Sequence, residues 1–309
     1  MTPLLSVIIP TFNRSSFLSE MLASVLRMKG VTMEVIVCDD ASTDQTAEMA
    51  RRWMNEYGCI RYLRNDKNCG CGYSRHRAYS LARGKYIVFA DDDDYYTDAD
   101  FYQKVIGILN NDERLAFCGA NVAISRGDSG GVQSQRMAFQ GRFNGFDYLL
   151  NGLTRGGKPI STFSTVFRKE VLEKAGFSEM KMMNDASIYM RALLYGDAYI
   201  LEDEVGVYSL HEGNLSKHLT GDFILANLKE KGWVFDKSFD MGNPLPKRWI
   251  TEQFDRTVFY YLSSSRASWG EIYRIHTYGR SRQLCRVSDL LKWIITNELW
   301  RMRRALRGG

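Results

Sequence analysis

The sequence predicts an α/β fold, a mixed sheet flanked by helices over residues 1–221, continued by a helical extension over 222–309. Three observations carry this expectation. Up to about Asp100, short apolar runs alternate with longer segments of helical period, the mark of βαβ units covering a parallel sheet on both faces. The acidic clusters Asp39-Asp40 and Asp91 to Asp94 each follow an apolar run directly, where open α/β sheets bind their ligands. Beyond Gly221 the strand-like runs stop and helix-period segments remain.

Leu5 to Pro10 is an unbroken apolar run and reads as a strand buried on both faces. Ser15 to Met28 follows as a helix with Phe17, Leu18, Met21, Leu22 and Val25 on one face. Glu34 to Cys38 is a second strand, stopped by Asp39-Asp40. Thr43 or Asp44 is expected to cap the next helix, through Ala47, Met49 and Met54, and Ile60 to Leu63 is a third strand. After a Gly-rich turn, Ser74 to Ala82 is helical, and Tyr86 to Ala90 is a fourth strand running into Asp91-Asp92-Asp93-Asp94. The pattern then becomes mixed. Strands are expected at Leu115 to Ile124, Thr162 to Arg168 and Val205 to His211, and Arg126 to Arg136, rich in Gly, Ser and charge, reads as a mobile loop. Phe223 to Phe235, Lys247 to Ser263 and Ser288 to Leu306 are the helices of the extension; no internal repeat is present.

With 45% hydrophobic and 25% charged residues the chain can bury a sizeable core, which excludes wholesale disorder, a collagen-like rod and a disulfide-knot scaffold. No uncharged apolar run approaches the roughly 20 residues of a membrane-spanning helix. Leu4 to Ile9 enters a strand with no basic segment before it, so no secretory signal is expected. The six cysteines lack paired zinc-ligand spacing and read as reduced packing residues of a cytoplasmic protein. The net charge of +5 is unevenly placed, since Arg266 to Gly309 holds ten Lys or Arg against three Asp or Glu.

Four consecutive aspartates at the edge of a core repel one another, so the cluster needs a cation or full solvation. A hard divalent ion resolves the repulsion, and Mg²⁺ typically takes one or two carboxylates and completes its shell with substrate phosphates. Taken alone, the run reads equally as a solvated turn before the helix that begins near Asp98, and Asp39 to Asp44 as an ordinary strand-to-helix turn. The ordered set decides between these readings. Ser6-Val7-Ile8-Ile9-Pro10-Thr11-Phe12-Asn13-Arg14, Asp39 to Thr46, Asn68 to Arg75, Gly84-Lys85-Tyr86-Ile87 running into Asp91-x-Asp93-Asp94, and the downstream Asp185 and His211 together resemble the family 2 glycosyltransferases. The resemblance covers Ser6 to His211 and implies a GT-A fold, the Rossmann-like nucleotide-diphospho-sugar transferase architecture.

By this resemblance Pro10, Thr11 and Phe12 would meet the nucleoside, and Asp40 would accept the uracil N3 proton. Arg75 would reach the base or diphosphate as a charge-assisted donor. Asp91-x-Asp93 looks like the DxD motif, with Asp93 the direct metal ligand, Asp91 at the ribose or a metal-bound water, and Asp92 beside the nucleotide sugar. His211 matches a family position near the metal or diphosphate; alone it reads as structural. Asp185, at the head of a helix, would be the general base, and the family's usual Glu before it is Asn184 here. The family's Asn after Arg75 is His76.

The implied activity is inverting transfer of a sugar from a UDP-sugar to a hydroxyl of a glycan or lipid-linked glycan in cell-surface polysaccharide biosynthesis, with Mn²⁺ or Mg²⁺ as cofactor. A nucleotidyltransferase and a non-catalytic nucleotide- or glycan-binding scaffold are the alternatives. Gly152 to Lys158 fits most of a P-loop, yet Pro159 replaces the required Ser or Thr, and Gly70-x-Gly72 lacks the third small residue of a dinucleotide fingerprint. In the tail, Leu291, Ile295, Leu299, Met302 and Leu306 recur at helical spacing beside Trp293, Trp300 and a cluster of arginines. Such a helix either lies on an anionic membrane, giving a peripheral protein at the inner face, or packs on the main domain. No nucleic-acid-binding motif accompanies the charge.

Overall fold

The computed structural model describes residues 2–127, 131–153, 157–180, 183–211, 219–265 and 267–307, with the backbone alone from 300 onward. The chain divides into two compact units, Met1–Leu210 and His211–Gly309. The first opens with β1 (Leu5–Thr11), α1 (Ser15–Leu26), β2 (Met33–Asp39), α2 (Thr46–Glu56), β3 (Ile60–Arg64), α3 (Cys71–Tyr79) and β4 (Tyr86–Phe89). It continues through β5 (Tyr95–Tyr96), α4 (Phe101–Asn111), β6 (Leu115–Ser125), β7 (Val132–Gln135), β8 (Gly141–Phe143), α5 (Gly145–Asp147), β9 (Thr165–Arg168), α6 (Lys169–Lys174), α7 (Asp185–Leu193) and β10 (Asp197–Ser209). Among the described residues these strands form one sheet in the order β3-β2-β1-β4-β9-β6-β10-β5, with β7 on β6 and β8 on β10. β3, β2, β1 and β4 run parallel, whereas β9 lies antiparallel between β4 and β6, so the sheet is mixed as expected.

Every residue of β1 is buried, because helices cover both faces of a parallel sheet. Leu5, Val7 and Ile9 alternate onto one face and share a core with Leu18, Met21, Leu22 and Val25 of α1. Each fully buried side chain of this kind contributes roughly 1.5–3 kcal/mol. Pro10 is tolerated in a central strand because β4 pairs with Leu5 to Ile8 and ends at Phe89, short of the proline. The same register sets up the site. Thr11 lies opposite Asp39 on β2, and the ladder that ends at Ile8 opposite Phe89 carries the next residues of both chains toward the same edge.

Several boundaries differ from the sequence expectation. α2 starts at Thr46 with Gln45 as its cap residue, because Asp44 turns back to accept the Thr46 N–H at 2.9 Å instead of capping a longer helix. α3 starts at Cys71, earlier than Ser74, since Gly70 supplies φ +88° and ψ 157°, a conformation open essentially to glycine. Within the expected loop Arg126 to Arg136, Val132–Gln135 instead pairs antiparallel with β6. Thr162–Ser164 is a 3₁₀ turn and the strand begins at Thr165. All six cysteines are free.

The second unit contains α8 (Gly221–Asp240), α9 (Lys247–Ser264), α10 (Trp269–Ser281) and α11 (Val287–Arg307). Ile224, Leu228, Trp249, Phe254, Val258, Tyr261, Ile272 and Ile275 are buried in it. One face of α11 is packed: the Trp293 ring lies 5.8 Å from Phe254 and 5.6 Å from His276, and Asn297 Nδ2 donates to the Ala267 carbonyl at 3.0 Å. Another face is open. Val287, Leu291, Ile295 and Leu299 recur at every fourth residue and are 68%, 64%, 50% and 46% exposed. No helix among the described residues is long and apolar enough to cross a membrane.

Candidate active site at the carboxyl edge of the sheet

Because β2, β1 and β4 are adjacent and parallel, the segments that follow them emerge side by side. Thr11 Oγ1 donates to Asp92 Oδ2 at 2.6 Å, tying the end of β1 to the aspartates after β4. Arg14, in the turn before α1, donates from Nη1 to Asp92 Oδ1 at 2.9 Å and to Asp93 Oδ2 at 2.7 Å. Asp94 points the other way, accepting from Ser161 Oγ at 3.1 Å and from the Ser209 N–H at 3.1 Å, and so anchors the acidic turn to β10.

Arg75, nearly buried on α3, joins the acidic turn to α7. Its Nη2 donates to Asp91 Oδ1, and its Nη1 to Asp185 Oδ1 at 3.0 Å and to the Met183 carbonyl at 3.3 Å. Its Nε is buried without a hydrogen-bond partner among the described residues. Asp185 is the first residue of α7, where the helix dipole favours a carboxylate, and Asn184 caps that helix by accepting the Ser187 N–H at 2.9 Å. Asn184, where the resemblance leads one to expect an acidic residue, therefore serves here as a neutral cap. His76 Nε2 lies 2.8 Å from the Ser178 carbonyl.

The carboxylates are crowded, and Asp92, Asp93 and Asp94 are buried. Burial pushes Asp91 up to about 6, with Arg75 opposing and Asp185 and Asp93 adding to the rise. Burial likewise pushes Asp92 up to about 7 against the pull of Arg14. Asp94 is raised well above the ordinary carboxylate range by burial and then by Asp91 and Asp93. Burial opposes the charge on Arg14, but Asp92 and Asp93 outweigh it and its pKa is raised. Negative charge thus exceeds what the two guanidinium groups offset, and every oxygen offered is a hard donor. A divalent cation fits this donor set. Among the described residues no three His, Cys, Asp or Glu side chains converge as a ready-made metal cage, so such an ion would draw further ligands from a bound diphosphate.

Asp40 sits one strand away with its carboxylate engaged: Asn65 Nδ2 donates to it at 2.6 Å, the Cys69 N–H at 2.9 Å and the Gly70 N–H at 2.7 Å. It fixes the loop that launches α3 and hence Arg75. Phe12 follows β1 and is 41% exposed, whereas Pro10 is buried within β1. Asn13 holds a left-handed conformation, φ +53°, and its Oδ1 accepts the Thr43 N–H at 2.7 Å, locking the turns after β1 and β2 together. The structure thus gathers Thr11, Arg75, Asp91, Asp92, Asp93 and Asp185 through shared contacts and adds Arg14, Asn65 and Ser161, which sequence reasoning did not single out. His211 is the first residue of the second unit. Of the P-loop-like stretch, residues 154–156 lie outside the described residues, and Lys158 Nζ donates to the Pro159 and Ile160 carbonyls at 2.9 and 3.2 Å.

The sequence profile described as glycosyl transferase family 2 matches residues 6–176, more than half of the chain. The chain belongs to this family. The uncharacterized glycosyltransferase YibD of Escherichia coli is 26% identical over 221 residues, 69% of this chain and 63% of YibD, so the match spans less than two thirds of that relative. Among solved structures, S. aureus TarS 1–349 in complex with UDP-GlcNAc superposes with a TM-score of 0.65 at 20% identity, covering 94% of this chain and 79% of that one. The mannosyltransferase PcManGT from Pyrobaculum calidifontis, in complex with GDP-Man and Mn²⁺, gives 0.56 at 16% identity over 97% of this chain and 87% of that one. The fold of the family 2 unit is GT-A.

Proposed function

We propose that the chain is an inverting, metal-dependent glycosyltransferase moving a sugar from a UDP-sugar to a hydroxyl of a glycan or lipid-linked glycan in cell-surface polysaccharide biosynthesis. The observation that carries this reading is the Arg75 bridge, which spans Asp91 of the DxD-like run and Asp185, the base. One guanidinium thereby sets the distance between the group that holds the leaving diphosphate and the group that takes the proton. Asp185 accepts the proton of the acceptor hydroxyl as its oxygen bonds to the anomeric carbon. The bond from that carbon to the diphosphate breaks on the opposite face, and the configuration inverts. Arg75 Nε, buried and without a partner among the described residues, is available to a diphosphate oxygen. Pro10, Thr11, Phe12 and Asp40 frame the nucleoside, Phe12 as an exposed residue, with Asp92 steadying the turn beside it. Asp93 would hold Mn²⁺ or Mg²⁺, with Asp91 at the ribose or a metal-bound water by analogy with the family; the ion, when bound, would supply positive charge toward the departing diphosphate. The ligands named for TarS and PcManGT support a nucleotide-sugar donor and, for PcManGT, a divalent ion.

A panel of UDP- and GDP-sugars with and without Mn²⁺ tests the reading. One UDP-sugar should raise the melting temperature with metal present and release UDP on adding acceptor. Pyrophosphate release from a nucleoside triphosphate would make the protein a nucleotidyltransferase instead, and binding with no turnover a scaffold.

A lipid-linked acceptor would require approach to a membrane, and α11 supports a peripheral protein at the inner, cytoplasmic face. Its open stripe of Val287, Leu291, Ile295 and Leu299 is followed in sequence by Arg301, Arg303, Arg304 and Arg307, a combination suited to an anionic lipid surface. Leu291→Asp with Ile295→Asp should weaken binding to phosphatidylglycerol vesicles by about tenfold or more, from the apolar area withdrawn, while UDP release with a soluble acceptor stays unchanged. Vesicle sedimentation equal to wild type would remove the interfacial role.

A further inference from the structure

Arg14 is a charged residue of the site that the proposed transfer step leaves without a task. Its Nη1 holds Asp93 Oδ2 at 2.7 Å, the same carboxylate assigned above to the divalent ion, and shares Asp92 Oδ1 at 2.9 Å. A guanidinium and a divalent cation on one carboxylate repel each other, so the two occupants compete. The position is also unusual. Arg14 is the cap residue of α1, makes no side-chain cap there, and sits where the helix dipole disfavours positive charge. The acidic turn, not the helix, accounts for a cation at this position. Its side chain is 24% exposed, which leaves it a route outward, and Asp92 would keep Thr11 as a partner if Arg14 withdrew.

We infer that Arg14 is the placeholder cation of this site: it neutralises Asp92 and Asp93 before donor and metal bind, and it yields Asp93 to the metal when they do. The inference rests on the metal-dependent reading above. It adds a coupling that reading does not contain. With Arg14 in place, metal alone binds poorly, and the diphosphate supplies the ligands that let the metal displace it, so metal and donor favour each other's binding.

The test titrates Mn²⁺ alone, and then Mn²⁺ with UDP, into the full chain and into Arg14→Gln and Arg14→Lys. Arg14→Gln should bind Mn²⁺ alone about tenfold more tightly than wild type, because the competing charge is gone while a polar chain of similar reach remains. Arg14→Lys restores a cation and should return the affinity toward wild type. A merely structural arginine would give the opposite sign, since a loosened turn weakens metal binding. Unchanged or weaker Mn²⁺ affinity in Arg14→Gln, with Mn²⁺-supported UDP binding intact in wild type, overturns the placeholder and leaves the transferase reading standing. Absence of Mn²⁺ binding in every protein, even with UDP, overturns the metal reading and the placeholder with it. Should Arg14→Gln fail to fold, the Arg14 side-chain N–H resonance of the wild-type chain, assigned by its loss in Arg14→Lys, decides the same question. It should shift when Mg²⁺ and UDP are added together, and an unmoved signal overturns the inference.

Discussion

Asp185→Asn should lower sugar transfer by about 10²- to 10⁴-fold, the usual worth of general-base catalysis, while leaving affinity for the donor close to wild type. The geometry makes this substitution clean. Asp185 Oδ1 accepts from Arg75 Nη1 at 3.0 Å, and an asparagine carbonyl can accept the same bond. The cap of α7 is Asn184, not Asp185, so the helix start is retained. What is lost is the capacity to take a proton. Single-turnover transfer measured beside UDP-sugar binding separates the two effects: transfer near the wild-type rate would remove Asp185 as the base and turn attention to Glu179. Glu179 is exposed in the turn Phe177–Glu179, outside the Arg75 contacts, which makes it the weaker candidate.

The sheet that carries this site was legible because its first strands are buried on both faces, and uninterrupted runs such as Leu5 to Pro10 have few other readings. The order of the acidic clusters was legible for the same reason, since parallel neighbours deliver their following residues to one edge. α10 was not anticipated, although Ser268 and Glu271 form a complete capping box whose S-x-x-E pattern stands in the sequence. Gly270 at its second position obscured the helical period. The early half of β10 was hidden because Asp197, Glu202, Asp203 and Glu204 interrupt its apolar pattern in a strand whose ladder to β6 carries register shifts. Arg14 bonds to residues about eighty positions away, a distance no local pattern reports. A signal was nonetheless present, for an arginine at a helix start runs against the dipole and asks for an acidic partner. Asp40 carries a different lesson. Its residue type suits recognition of a base, yet three of its acceptor sites are used on Asn65, Cys69 and Gly70, so its first effect is to hold the α3 loop.

The second large effect is expected at Asp93. Asp93→Ala should abolish the support that Mn²⁺ lends to UDP binding, a loss of about 10²-fold or more when metal is present, from the several kcal/mol that a bound cation contributes toward a diphosphate. The fold should survive the change. Arg14 keeps Asp92 Oδ1 at 2.9 Å, Thr11 keeps Asp92 Oδ2, and Asp94 remains held by Ser161 and the Ser209 N–H, so the acidic turn retains its anchors. Removing one of four crowded carboxylates also relieves repulsion, since the charge of Asp93 is among the causes that raise Asp91 and Asp94 after burial. Stability and metal affinity should therefore move apart. Asp92→Asn is the control, because its two oxygens are already committed to Thr11 and Arg14 and its replacement should weaken metal-supported binding far less. Calorimetric titration of UDP with and without Mn²⁺ decides the matter. If Mn²⁺ tightens UDP binding to Asp93→Ala as strongly as to the wild-type chain, Asp93 does not hold the ion, and Asp91, beside it at the Arg75 bridge, becomes the carboxylate to replace next.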